Sequence, residues 1–218
     1  MKLVKQYHQI LSLISPGGIQ ELQAIEVAGR TCYKSEDKIS PDGESAKRFV
    51  KMIIDNGHEA MLEHSSLSVK FICSRGVSHE IVRHRLFSFA QESTRYCNYS
   101  KGKFGGECTF IVPPDQDWSV NTEDWRPTTG FQTYWYDTML TSEMDYKYLL
   151  ELGWKPEQAR DVLPNALKTE IVVTGNYREW RHFFKLRTDA AAHPHIRALA
   201  KDLLEDLKYR IPVVFDDL

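Results

Sequence analysis

Residues 65 to 73, "SSLSVKFIC", set Leu67, Val69, Phe71 and Cys73 against Ser66, Ser68 and Lys70. Successive side chains of a strand point to opposite faces, so a period of two over this length specifies a strand with one wet face. A half-buried strand needs neighbours and a cover, and the rest of the chain carries mainly helical patterns. After Pro16-Gly17-Gly18, Ile19, Leu22, Ile25 and Val27 recur at helical spacing toward Gly29. From Glu44, Phe49, Met52 and Ile53 form an apolar stripe that ends at Gly57. Residues 131 to 152 read as a long helix closed by Gly153, and "YREWRHFFKLR" (177 to 187) and residues 193 to 209 also read as helices. "VSHEIVRHR" reads as a short helix presenting Arg83, His84 and Arg85 near its C-terminal end, where cations are well tolerated.

The remaining segments are less determinate. "KTEIVVTGN" (168 to 176) has the β-branched content of a strand but is compatible with a helix. Residues 101 to 129, with "KGKFGGE", Pro113-Pro114, Asp115, Asp117, Asp124 and Pro127, read as loops around a short strand at Thr109 to Val112. No repeat and no long linker divides the chain. The expected class is α+β: one domain over residues 1 to 218, with a small, mainly antiparallel sheet and several helices.

With 218 residues, 42% of them hydrophobic, the chain can bury a sizeable core. Its formal net charge of −2 argues against a protein that coats nucleic acid, which usually shows as a strongly basic domain. Cys32, Cys73, Cys97 and Cys108 form no C-x-x-C pair, and no charged-then-apolar leader opens the sequence. A reducing, cytoplasmic setting is expected. No apolar run approaches the roughly 20 residues needed to cross a bilayer.

Against that slightly negative background, "RHRLFSFAQESTRY" (83 to 96) concentrates cations, hydroxyls and an amide. Arginine presents five donors in a planar fork suited to phosphate or a carbonyl-rich ring. An extended segment would direct Gln91, Ser93 and Arg95 to one side, where hydroxyl and guanidinium hold a phosphate and the amide reads a polar ring. A second cluster, "GHEAMLEH", suggests a zinc motif, but the spacing fails: His58 and His64 are six apart, Leu62 stands between them, and the inverted motif would need His at Ala60. No metal is expected, and His8, His79, His193 and His195 read as structural. A third cluster holds Arg160 before "DVLP", then Arg178, Arg181 and His182 at i, i+3 and i+4, with Arg187 following.

The spacing Arg83-His84-Arg85, seven residues, Ser93, one residue, Arg95 resembles the R-H-R-x7-S-x-R signature of the flavin-dependent thymidylate synthases. The resemblance extends to "GHEAMLEH", "ARDVLP", "GNYR" and "LRTDAAAH", in the family's order, over roughly residues 1 to 210. It implies a homotetramer of α+β subunits with active sites at subunit interfaces. Such an enzyme uses FAD, oxidises NADPH, and transfers a one-carbon unit from methylenetetrahydrofolate to dUMP, giving dTMP and tetrahydrofolate. By position it implies that Arg83, His84, Arg85, Glu63, Gln91, Asn176, Arg178 and His182 contact FAD, and that His58 covers folate over the flavin. It also implies dUMP contacts from Gln91, Ser93, Arg95, Arg160, Arg187 and Arg83.

Several positions depart from the family pattern. Ala60 replaces a Thr, Glu80 a Gln, Ala191 a His, and Ala90-Gln91 an Asn-Glu pair found in some members. Chemically, the catalytic assignment falls on Arg187, whose permanent charge can stabilise an ionising pyrimidine but cannot take its proton. Ser93 has no Asp-His relay to activate it and reads as a binding residue, and Cys97 carries no mark of a lowered-pKa thiol. Two other readings use the same residues: a flavin- or nucleotide-binding module without turnover, and a metal-dependent phosphoryl enzyme.

Overall fold

The computed structural model describes residues 1–102, 105–115, 118, 127 and 130–218. The loop expectations for Lys103, Phe104, Asp117 and Asp124 lie outside the described residues. The strands are β1 (Lys2–Val4), β2 (Tyr7–Ile10), β3 (Ser66–Ser74), β4 (Ser88–Gln91), β5 (Thr109–Ile111) and β6 (Lys168–Asn176). The helices are α1 (Ile19–Thr31), α2 (Glu44–Asp55), α3 (Arg75–Ile81), α4 (Gly130–Glu151), α5 (Pro156–Ala159), α6 (Tyr177–Arg187), α7 (Pro194–Arg210) and α8 (Pro212–Phe215). A 3₁₀ turn spans Glu59–His64. The class is α+β, as expected.

The main sheet has the order β2-β3-β6-β4, and β1 pairs in parallel with β5 in a separate two-stranded sheet. β3 and β6 run antiparallel: Ser68 meets Thr174 at one end, and the Arg75 N–H donates to the Leu167 carbonyl at the other. "KTEIVVTGN" is thus a strand. Its burial alternates strictly, with Thr169, Ile171, Val173 and Gly175 on the buried face. Lys168, Glu170, Val172, Thr174 and Asn176 lie on the more open face. That period of two settles what β-branched content left open.

The described chain forms two compact units. The first comprises Met1–Tyr7, Phe71–Ile81 and Ala90–Ile171, and the second His8–Lys70, Val82–Phe89 and Val172–Leu218. The first unit's core joins Tyr99, Cys108, Phe110, Met139, Tyr146, Ala159 and Leu167. The second unit is built around α6. Tyr177, Trp180, Phe183 and Phe184 are buried at helical spacing and leave Leu186 half-exposed. Phe87 stacks on Trp180 with ring centroids 4.5 Å apart, and Phe184 meets Phe215 at 5.7 Å. Gly175 has no side chain because the Phe87 ring occupies the space: a Cβ there would collide with it. This close approach seats the strand that delivers Asn176 and α6 to the candidate site.

Arg181 shows why spacing alone does not select functional arginines. It is 1% exposed, and its guanidinium donates to both carboxylate oxygens of Asp217, at 2.6 and 2.7 Å. A buried charge needs such a partner. Among the histidines read as structural, His8 sits between Asp202 (2.8 Å) and Asp206 (3.2 Å). The Nδ1 of His193 accepts from the His195 N–H at the start of α7. No described helix is long and apolar enough to cross a membrane.

Candidate active site

In the second unit, a cleft of about 910 Å³ is lined by Arg83, His84 and Arg85 from the segment before β4, by Glu63 from the 3₁₀ turn, and by Asn176, Arg178, His182 and Arg187 from the end of β6 and α6. These residues come from separated stretches of sequence. Asn176 caps α6 by accepting the Glu179 N–H at 2.9 Å, so the helix starts where its side chains enter the cleft. Helical spacing then puts Arg178 and His182 on one face, one turn apart.

The R-H-R stretch is not helical. α3 stops at Ile81, and residues 82 to 86 form turns leading into β4. The turn does what a helix could not: it buries His84, 5% exposed, while leaving Arg83 and Arg85 on either side exposed. Among the described residues, neither of those two arginines makes a hydrogen bond or ion pair. His84 packs edge-on to Phe183, with centroids 5.0 Å apart. Its Nε2 accepts the Arg187 Nε–H at 2.9 Å, and its Nδ1 lies 3.5 Å from Glu179 Oε1. An acceptor at Nε2 requires the proton on Nδ1, so the ring is neutral and its tautomer is set. Burial, with Arg187 and His182 adding repulsion, pushes His84 down to about 4. Burial also raises the Glu179 carboxyl above its ordinary range, with His182 opposing.

The cleft is cationic overall: Arg83, Arg85, Arg178, Lys185 and Arg187 face three carboxylates, Glu59, Glu63 and Glu179. Part of that charge is internally compensated. Arg178 donates to Glu63 at 2.6 Å, and Lys185 lies 3.4 Å from Glu59. Sequence reasoning missed Glu59, Lys185 and Glu179. Glu179 was accessible in principle, since Asn176 followed three residues later by Glu179 is a capping pattern that places the Glu on the first turn.

Ser93, Arg95 and Arg160 come together in the first unit. The extended segment expected there is a turn instead: Ser93's carbonyl accepts from the Tyr96 and Cys97 N–H groups, and its Oγ accepts from the Arg95 N–H at 3.3 Å. The turn is anchored from the segment after α5, where Arg160 donates to Thr94 Oγ1 at 2.9 Å. Arg95 lies 3.6 Å from Glu157. Gln91 ends β4 and donates to Ser78 (2.8 Å) and Thr169 (3.2 Å). Of the residues matched to dUMP, Arg83 and Arg187 fall in the second unit. His58, matched to folate, lines a different cleft of that unit.

A family model described as "Thymidylate synthase complementing protein" matches residues 19–213. A Corynebacterium diphtheriae protein named "Flavin-dependent thymidylate synthase" is 37% identical over 202 residues, covering 88% of this chain and 77% of its own. The chain belongs to the flavin-dependent thymidylate synthase family. Relatives of the same name from Mycobacterium avium, 36% identical over 88% of this chain and 78% of theirs, and Corynebacterium aurimucosum, 34% over 94% and 82%, agree. Of the positions departing from other members of the flavin-dependent thymidylate synthases, Ala60 and Ala191 are exposed. Glu80 is half-buried on α3, and Ala90 lies on β4.

Proposed function

We propose that this chain is an FAD-dependent thymidylate synthase that converts dUMP to dTMP, with methylenetetrahydrofolate as one-carbon donor and NADPH as reductant, releasing tetrahydrofolate. The observation that carries the reading is the cationic cleft that gathers Glu63, Arg83, His84, Arg85, Asn176, Arg178, His182 and Arg187. The donor set suits FAD, whose diphosphate requires cations not already neutralised within the protein, and Arg83 and Arg85 are exposed and unpaired among the described residues. FAD, when bound, supplies the redox chemistry that links NADPH oxidation to reduction of the transferred carbon. Arg83, Arg85 and Arg178, with His84, Asn176, His182, Glu63 and Gln91, would hold it, and His58 would cover folate.

Gln91, Ser93, Arg95 and Arg160, with Arg83 and Arg187, bind dUMP, Ser93 and Arg95 toward its phosphate. Uracil must become electron-rich at carbon 5, and the negative charge on N3 and the carbonyl oxygens needs a preorganised donor. Arg187 is that catalytic residue. His84 positions it by accepting its Nε–H at 2.9 Å, and the neutral imidazole adds no competing cation. The assembly is a homotetramer with active sites at subunit interfaces, located in the cytoplasm, and the whole chain acts as one domain.

Arg83→Ala and Arg178→Ala test the cofactor assignment. Both variants should purify with lower flavin occupancy and weaker flavin affinity, read from the visible absorbance. Full yellow colour with unchanged affinity in both would refute it.

A further inference from the structure

The second unit holds another cleft, about 1020 Å³, between α1 and α2. Among the described residues no carboxylate lines it, whereas Arg30, Lys38 and Arg48 do, although acidic residues outnumber Lys and Arg in the chain, 30 to 28. Its floor is apolar and built. The Phe49 ring lies against Gly29, where a Cβ would collide with it, and Met52, Ile53 and Met61 continue the surface. Arg30 is locked over Phe49, 5.1 Å from the ring centroid, by its bond to the fully buried Glu26 at 2.6 Å. That pair compensates itself. Lys38 and Arg48 are exposed, and among the described residues neither makes a salt bridge. Asp42, outside the lining, feels Arg48 from a distance. Its carboxyl lies below the usual range chiefly through the Glu44 N–H and Ser40, with Arg48 adding to them.

The cleft's position gives it a role. His58, Ala60 and Met61 line it, while Glu59 and Glu63 of the same stretch line the cationic cleft assigned to FAD. One 3₁₀ turn is therefore the partition between the two, its side chains divided between them. A ligand with a ring at one end and a multiply charged anionic tail at the other suits this arrangement: the tail on Lys38 and Arg48, the body along Phe49 and Met52, the ring toward His58.

We propose that the α1/α2 cleft binds the anionic tail of a ring-bearing co-substrate that delivers its reactive ring across the 58–64 turn to the flavin cleft. This rests on the functional reading above, in which two co-substrates besides dUMP must reach the flavin. Both have this chemistry: NADPH carries a 2′-phosphate and a diphosphate, and folate a glutamate tail.

The test uses the FAD-loaded protein, Lys38→Glu/Arg48→Glu, and two probes without a reactive ring: adenosine 2′,5′-bisphosphate and p-aminobenzoyl-triglutamate. Equilibrium dialysis should show wild type binding one of them, with affinity falling as salt rises. The double charge reversal should weaken that probe at least tenfold and raise KM for the matching co-substrate similarly, with kcat and flavin content unchanged. Binding of the bisphosphate identifies the dinucleotide as occupant, and binding of the triglutamate identifies folate. Neither probe bound by wild type, or affinities equal in wild type and variant, would overturn the proposal. A wild-type protein that binds a probe through Lys38 and Arg48 yet never forms dTMP would sustain the anion site and defeat the synthase reading.

Discussion

Arg187→Ala separates transition-state stabilisation from docking. In the folded chain the guanidinium Nε–H donates to His84 Nε2 at 2.9 Å, and His84 is 5% exposed. Truncation leaves a buried acceptor without that donor, which costs about 1–3 kcal/mol of stability unless water enters. It also removes the second-largest influence holding His84 near 4, so the ring should titrate higher, though short of an ordinary histidine because burial is the larger cause. Catalysis should suffer separately. Loss of a preorganised donor to developing negative charge lowers turnover by about 10²–10³, or ~3–4 kcal/mol. Arg187→Ala should therefore bind FAD and be bleached by NADPH like wild type, while dTMP formation falls by that factor at saturating dUMP. Arg187→Lys should recover only part, because one ammonium cannot serve His84 and a planar ring edge together. Anaerobic stopped-flow separates the two half-reactions. A raised KM for dUMP with unchanged kcat would exclude the catalytic role and make Arg187 an anchor.

Two further outcomes follow from the same geometry. His84 has a folded pKa of about 4, below the ordinary 6.5, so between these values the folded state binds fewer protons than the unfolded. Its contribution, at most ~3 kcal/mol, is fully present above pH 6.5 and is lost as pH falls through 4. Denaturant titrations of wild type and His84→Gln should differ in slope across that window, and identical pH profiles would contradict the assignment. On the proposed role of Ser93 as a binding residue, Ser93→Ala should keep measurable turnover with a higher KM for dUMP; trapping a Ser93-uracil adduct would overturn this.

Much of the fold was legible because periodicity is a local signal. α2, α6 and β3 fall within a residue of their expected bounds, as their apolar spacing and flanking glycines or Asn176 required. The helix α1 runs past Gly29, since that glycine serves contact with Phe49 and not termination. Two local expectations failed where hydrogen bonds outside the window decide. Arg83 to Arg85 form a turn after α3, which lets His84 face the core while its neighbours face solvent. Ser93 to Cys97 form a turn that Arg160, distant in sequence, secures through Thr94. Arg83, His84, Arg85, Asn176, Arg178 and His182 of the cationic cleft were legible by motif, but the His84–Arg187 bond and the Glu179 beside it were not, because only tertiary structure brings residues 84, 179 and 187 together. The cations of the α1/α2 cleft belong to no motif; they are scattered over residues 30 to 48 and converge only when the helices pack.

A single spectroscopic sequence tests whether this protein joins flavin reduction to nucleotide methylation. Purified protein should show flavin absorbance that bleaches on anaerobic addition of NADPH, stays bleached with dUMP alone, and returns when dUMP and methylenetetrahydrofolate are added together, with one dTMP formed per flavin reoxidised. A protein that bleaches but is not reoxidised by the two substrates, or that forms no dTMP when it is, is not a flavin-dependent thymidylate synthase.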